Sequence, residues 1–82
     1  MSYNVLFLGK ALEFLESLDK PIRVQIYRKL GKLDVNAELG EPLSNELKGC
    51  WRLHIGKYRV IYTIEGKDIV IAKIGHRKDV YG

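Results

Sequence analysis

A single cysteine, Cys50, stands in 82 residues, so no intramolecular disulfide can form, and an unpaired thiol fits a reducing compartment. The expected location is therefore the cytoplasm. No stretch approaches the length needed to cross a membrane, and the apolar run Val5-Leu6-Phe7-Leu8 is too short for a signal-peptide core and follows no basic segment. Neither export nor membrane insertion is expected. The two histidines, at 54 and 76, and Cys50 show no zinc-ligand spacing, so no metal or other cofactor is implied. A serine or cysteine triad is equally unsupported, because Cys50 adjoins Trp51 at the start of a strand pattern and reads as a small packing residue. Repeats and low-complexity segments are absent too, leaving one domain over residues 1–82. A domain this small buries only about 60% of the surface that its unfolded chain exposes, so any chemistry belongs on an open face and not in a deep pocket.

Acidic residues are scarce in one half only. Residues 1–47 carry six Lys/Arg against seven Asp/Glu, whereas residues 48–82 carry eight (Lys48, Arg52, Lys57, Arg59, Lys67, Lys73, Arg77, Lys78) against three (Glu65, Asp68, Asp79). The formal charge of +4 thus belongs to the C-terminal half, the electrostatic footprint of a polyanion binder.

Tyr3 to Leu8 is rich in strand formers and ends at Gly9. Between Lys10 and Leu18, Ala11, Phe14, Leu15 and Leu18 recur at helical spacing. Asp19-Lys20-Pro21 stops that helix and starts another, with Asp19 able to accept hydrogen bonds from the free amides of the first turn. The second helix carries Ile22, Ile26, Leu30 and Leu33 as its apolar stripe, and Arg23, Arg28, Lys29 and Lys32 read as a solvated face. Asp34 to Glu46, with Gly40, Pro42, Ser44 and Asn45, reads as a surface connection without further elements.

Trp51, Leu53 and Ile55 then alternate with Arg52 and His54, and Tyr58, Val60, Tyr62 and Ile64 alternate with Arg59, Ile61 and Thr63. Gly56-Lys57 between the two runs suits a two-residue II′ turn. A second turn at Glu65-Gly66-Lys67-Asp68 leads into Asp68 to Ile74, a β-branched run expected to be buried on both faces. The element order is β-α-α-β-β-β, an α+β fold in which a helix hairpin packs on a small, mostly antiparallel sheet.

Register makes a candidate site of this pattern. A two-residue turn pairs Ile55 with Tyr58, which sets His54 opposite Arg59, Leu53 opposite Val60, Arg52 opposite Ile61 and Trp51 opposite Tyr62. Trp51, Tyr58 and Tyr62 then belong to the core side, while Arg52, His54 and Arg59 are neighbours on the other face. Pairing Ile64 with Ile69 carries Arg59 opposite Ile74, and the segment Gly75 to Tyr81 leaves the sheet beside the cluster, bringing Arg77 and Tyr81 within reach. His76 reads as a hydrogen-bonding turn residue with no part in the chemistry. Arg52 and Arg59 repel one another with no carboxylate nearby in sequence, a cost that a bound anion removes. The arginine fork suits phosphate and the charge developing on its oxygens, a histidine can move a proton near neutral pH, and a tyrosine can stack on a base. Lys48, Lys57 and Lys78 surround the cluster as candidate nucleic-acid contacts.

Leu47-Lys48-Gly49, Trp51-Arg52-Leu53, Gly56-Lys57-Tyr58-Arg59-Val60-Ile61-Tyr62 and Gly75-His76-Arg77-Lys78-Asp79-Val80-Tyr81 together resemble the RelE/ParE toxin superfamily, in spacing as well as in residues. The resemblance implies a RelE-like toxin of a type II toxin–antitoxin system, with a small antitoxin protein, the ribosome and mRNA as partners. RelE-type members are metal-independent endoribonucleases that cut mRNA on the ribosome by 2′-hydroxyl attack on the adjacent phosphate. By resemblance Arg59, Arg77 and Tyr81 match the family's active-site positions, and Arg52 and His54 stand where well-known members carry lysines. His54 thereby becomes the candidate general base in place of a lysine. Two alternatives from other classes are a ParE-like gyrase inhibitor, which needs no convergent basic cluster, and an inert member that only binds its antitoxin.

Overall fold

In a computed structural model the chain is described over residues 3–78. Five strands and two helices follow in the order β1 (Asn4–Phe7), α1 (Gly9–Glu16), α2 (Lys20–Gly31), β2 (Glu41–Pro42), β3 (Cys50–Ile55), β4 (Tyr58–Glu65) and β5 (Asp68–His76). They form one sheet in the order β1-β5-β4-β3-β2, in which β1 runs parallel to β5 and every other pair is antiparallel. The helix hairpin packs on one face. Ala11 and Leu15 from α1, Ile26 and Leu30 from α2 and Leu33 just beyond meet Leu53, Ile55, Val60, Tyr62, Ile69, Ile71 and Ile74 in a single buried cluster. Among the described residues no helix is long and apolar enough to cross a membrane.

The α+β architecture expected from the pattern is the one found, with four differences that have local causes. Asp19 caps α2 through its carbonyl, which accepts from the amides of Ile22 and Arg23 at 3.0 Å each, and its side chain makes no cap hydrogen bond. Residues 34–46 are not a plain connection, since Glu41 and Pro42 pair with Arg52 and Trp51 as a two-residue strand. That strand is made by docking: Gly40 lies so close to β3 that a Cβ there would meet the Arg52 carbonyl oxygen, and its amide donates to the Tyr62 hydroxyl at 3.0 Å. The Tyr62 hydroxyl in turn donates to the Ala37 carbonyl at 2.7 Å. Only a residue without a side chain admits this approach.

The third difference is a register shift on β5. Glu65↔Asp68 and Ile64↔Ile69 pair as expected, but between Tyr62↔Ile71 and Ile61↔Lys73 one extra residue, Ala72, is accommodated as a bulge. Arg59 therefore faces Gly75, not Ile74. The bulge also lets Ile71 and Ile74, three apart, both enter the core. Fourthly, β5 is not buried on both faces: Ile69, Ile71 and Ile74 are buried, whereas Val70 and Ala72 are half-buried and Lys73 is exposed. Helices cover only one face, so the alternate residues on the other have no second layer above them.

Candidate functional site

The β3–β4 hairpin positions the central residues. Gly56 opens the turn at φ 59, a conformation that side chains disfavour, and all the pairs from Ile55↔Tyr58 to Trp51↔Tyr62 follow in the expected register. Leu53, Ile55, Val60 and Tyr62 go into the core, which forces Arg52, His54 and Arg59 to the opposite face. There the row His54–Arg59–Gly75 lies beside the row Arg52–Ile61–Lys73. Opposed residues are about 5 Å apart, and within this row His54 is exposed, Arg59 half-buried and Gly75 buried. Ile61 is only 6% exposed yet lies outside the main core cluster, on the face that carries Arg52 and Arg59. Aliphatic stems of long cationic side chains are suited to cover such a residue while their heads stay in solvent.

A carboxylate joins this face that adjacency in sequence did not reveal. Arg52 donates through Nη2 to Glu41 Oε2 at 3.1 Å, and His54 Nε2 lies 3.8 Å from Glu41 Oε1. The expectation of a basic cluster with no carboxylate nearby is thus corrected. The missed signal is tertiary, since Glu41 reaches Arg52 only because β2 docks on the edge of β3. Glu41 and the His54 imidazole are both substantially exposed, at 62% and 46%, so the pair is accessible from solvent. Chemically the trio offers a guanidinium for an anionic oxygen and two groups able to accept a proton, with Arg59 supplying a second guanidinium beside His54.

The remaining candidates divide by location. Arg77 is exposed just past β5, where its amide donates to the Lys57 carbonyl at 2.8 Å and continues the β4–β5 ladder by one step. Lys57 and Lys78 are exposed at this same end of the sheet. Lys48 is exposed before the start of β3, six residues from His54, which corresponds to roughly 20 Å of extended chain. Tyr81 lies outside the described residues. His76 belongs to the helix-facing side, where its ring packs edge-on to Tyr58 at 5.9 Å and its Nδ1 accepts from the Lys78 amide at 3.3 Å. Trp51 stacks on Tyr62 with ring centres 6.3 Å apart, and Phe14 meets Tyr58 edge-on at 6.2 Å, consistent with packing roles for these aromatics. Burial pushes the Tyr62 phenol above its ordinary value of 10.0, against the opposing pull of the Gly40 amide. Among the described residues no three His, Cys, Asp or Glu side chains gather as a metal-holding group.

Comparison with known proteins bears on the family and the fold. The family model for the ParE toxin of the type II toxin–antitoxin system parDE matches residues 5–81. The chain is 31% identical over 86 residues to toxin RelG of Mycobacterium tuberculosis, an alignment covering 99% of this chain and 98% of that one. It is 29% identical over 87 residues to a putative RelE-like toxin protein of Escherichia coli, covering 99% and 92%. Among solved structures, the toxin–antitoxin complex RelBE2 of M. tuberculosis contains a chain that superposes with a TM-score of 0.84 at 30% identity, over 94% of this chain and 100% of that one. The archaeal RelE–RelB complex of Pyrococcus horikoshii gives 0.74 at 27% identity, over 98% and 100%. By the family match, the near full-length relatives and the shared fold, the chain belongs to the ParE toxin family, within the RelE/ParE/YoeB superfamily of type II toxin–antitoxin toxins.

Proposed function

We propose that this toxin acts as a ribosome-dependent endoribonuclease in the cytoplasm, held in check by a cognate antitoxin that covers the basic sheet face. The observation that carries the reading is the row in which His54 faces Arg59, one step from Arg52, on a sheet face that the helices leave open. In the proposed reaction a ribose 2′-hydroxyl loses its proton to His54 and attacks the adjacent phosphorus. The 5′-oxygen departs and takes a proton from water while His54 returns its own to solvent, leaving a 2′,3′-cyclic phosphate and a free 5′-hydroxyl. Arg59 and Arg77 hold the non-bridging oxygens, whose charge grows in the transition state. Arg52, kept in place by Glu41, supports the same phosphate, and Tyr81 stacks on a nucleotide. The mechanism uses no cofactor and no metal. Support for an antitoxin comes from RelBE2 and the archaeal RelE–RelB complex, both solved as toxin–antitoxin assemblies.

Two observations favour the second reading, a gyrase inhibitor or an inert antitoxin-binding member. The matching family model is that of the ParE toxin, and Glu41 offsets part of the positive charge on which RNA chemistry would rely. One experiment separates them: purified protein is added to translating ribosomes and new mRNA 5′ ends are mapped, beside a gyrase supercoiling assay. New 5′-hydroxyl ends that disappear in His54→Ala support the nuclease. Inhibited supercoiling without new ends, unchanged in His54→Ala, supports the ParE-like activity.

A further inference from the structure

The basic residues of α2 were expected to form a solvated helix face, and Arg23 conforms, its Nη1 donating to the Glu16 carbonyl at 3.4 Å. Arg28 and Lys32 are exposed, as expected, and Lys29 is half-buried. All three line an open hollow of about 330 Å³ between the C-terminal half of α2 and the end of β3, with Lys32, just past the helix, one turn from both Arg28 and Lys29. Among the described residues no acidic side chain lines it. Its opposite wall is His54, Ile55 and Gly56, and a second hollow that contains Glu41 and Arg52 shares both Lys29 and His54 with it. The two depressions therefore adjoin at Lys29 and His54. Their position has a structural cause: β2 pairs with β3 only at Trp51 and Arg52, so beyond Arg52 the edge of β3 is bordered by α2.

We infer that this hollow is a track for the backbone of single-stranded RNA, carrying the strand away from His54 across the edge of the sheet, with Arg28, Lys29 and Lys32 on the phosphates. The inference rests on the nucleic-acid reading of the His54 face. Charge complementarity identifies the occupant as a polyanion, and the composition of the wall favours a nucleotide over an acidic peptide. Val24, 38% exposed, gives an apolar surface for a ribose or base, and Gln25 presents an amide that can meet a base edge. Three cations gather on one wall, and each phosphate contact releases condensed counterions. None of these side chains belongs to the proposed catalytic row, so strand binding here is separable from cleavage.

The test measures binding of a fluorescein-labelled 2′-O-methyl RNA dodecamer, which cannot be cut by 2′-hydroxyl attack, against the double variant Arg28→Ala/Lys32→Ala. Both substituted residues are exposed, and a melting curve checks that the variant is folded. The affinity is expected to fall ~2- to 10-fold, and the slope of log affinity against log salt to flatten by about 1.4 for the two lost contacts. The charge-retaining pair Arg28→Lys/Lys32→Arg should restore both. A labelled polyglutamate peptide runs in parallel. Unchanged RNA affinity and slope in the double variant, RNA that fails to bind the unsubstituted protein, or a loss confined to the peptide would each overturn the inference. Failure of the catalytic reading looks different: full cleavage by His54→Ala removes the base assignment and leaves the groove's binding result standing.

Discussion

The two faces of the sheet share the same three long strands and meet opposite demands. Towards the helices, every second residue of β3 and β4 is apolar or aromatic, with Leu53, Ile55, Val60 and Tyr62 buried and Trp51, Tyr58 and Ile64 half-buried against them. On the other face the same strands present Arg52, His54, Arg59 and Thr63, with Ile61 buried among them. Burial of apolar area stabilises the fold by roughly 25 cal/mol per Å², whereas exposed charges contribute little to stability. Substitutions on the helix-facing side should therefore be read in melting temperature, and those on the open side in binding and chemistry.

His54→Ala carries the largest expected effect. If His54 takes the 2′-hydroxyl proton, single-turnover cleavage on the ribosome should fall by ~10²- to 10⁴-fold while binding and melting temperature change little. His54→Lys tests the role itself, since a lysine stands there in well-known relatives and should retain activity at higher pH. Full activity in the alanine variant would sink the base assignment.

Its counterpart on the buried face is Ile71→Ala. Ile71 has no exposed surface and sits beside the Ala72 bulge, so the substitution should cost about 2–5 kcal/mol, a large share of a small domain's stability. Chemical denaturation would measure it. Cleavage per folded molecule should be unchanged, and a rate loss exceeding the folded fraction would break the division between faces.

Tyr62 is where the core face supports the open one. Tyr62→Phe leaves the Ala37 carbonyl and the Gly40 amide without their hydroxyl partner, at an expected cost of about 1–3 kcal/mol. The folded protein holds this phenolic proton to higher pH than the unfolded chain, whose tyrosine loses it near 10.0. The resulting stability is present below pH 10.0 and lost as pH rises through the folded value. Denaturation curves from pH 9 to 11 should fall less steeply for Tyr62→Phe than for the unsubstituted protein; parallel curves would remove Tyr62 from the alkaline response.

The same contrast explains what was legible beforehand. The period-two alternation from Trp51 to Ile64 and the turn glycine Gly56 are local signals, so the hairpin register and the opposition of His54 and Arg59 could be read before any fold was known. The Ala72 bulge carries no glycine or proline marker, and its effect appears only where the β4–β5 register shifts and Arg59 meets Gly75. β2 has two residues and no period of its own, because it exists through the approach of Gly40 to Arg52 and Tyr62. Glu41, the residue that most alters the electrostatics of the site, was hidden for that reason. The helix-two cations had the right spacing, but only the edge of β3 turns a solvated face into the wall of a groove.

Glu41→Gln has the smallest expected effect on the fold and tests the open face most finely. Its bond to Arg52 is an exposed ion pair, with side chains 62% and 24% accessible, so the change in stability should stay below about 1 kcal/mol. Glutamine keeps an acceptor for Arg52 but removes the negative charge that any phosphate must approach. Affinity for the 2′-O-methyl dodecamer should therefore rise, by no more than ~5-fold given the screening of exposed charges. Cleavage separates two roles for the carboxylate. If Glu41 only holds Arg52 and His54 in place, the rate at saturation should change by less than ~10-fold, because the hydrogen-bonding geometry survives. If the rate falls by ~10² or more while RNA binding improves, Glu41 is itself the proton acceptor at its 3.8 Å separation from His54, and the imidazole has the supporting role.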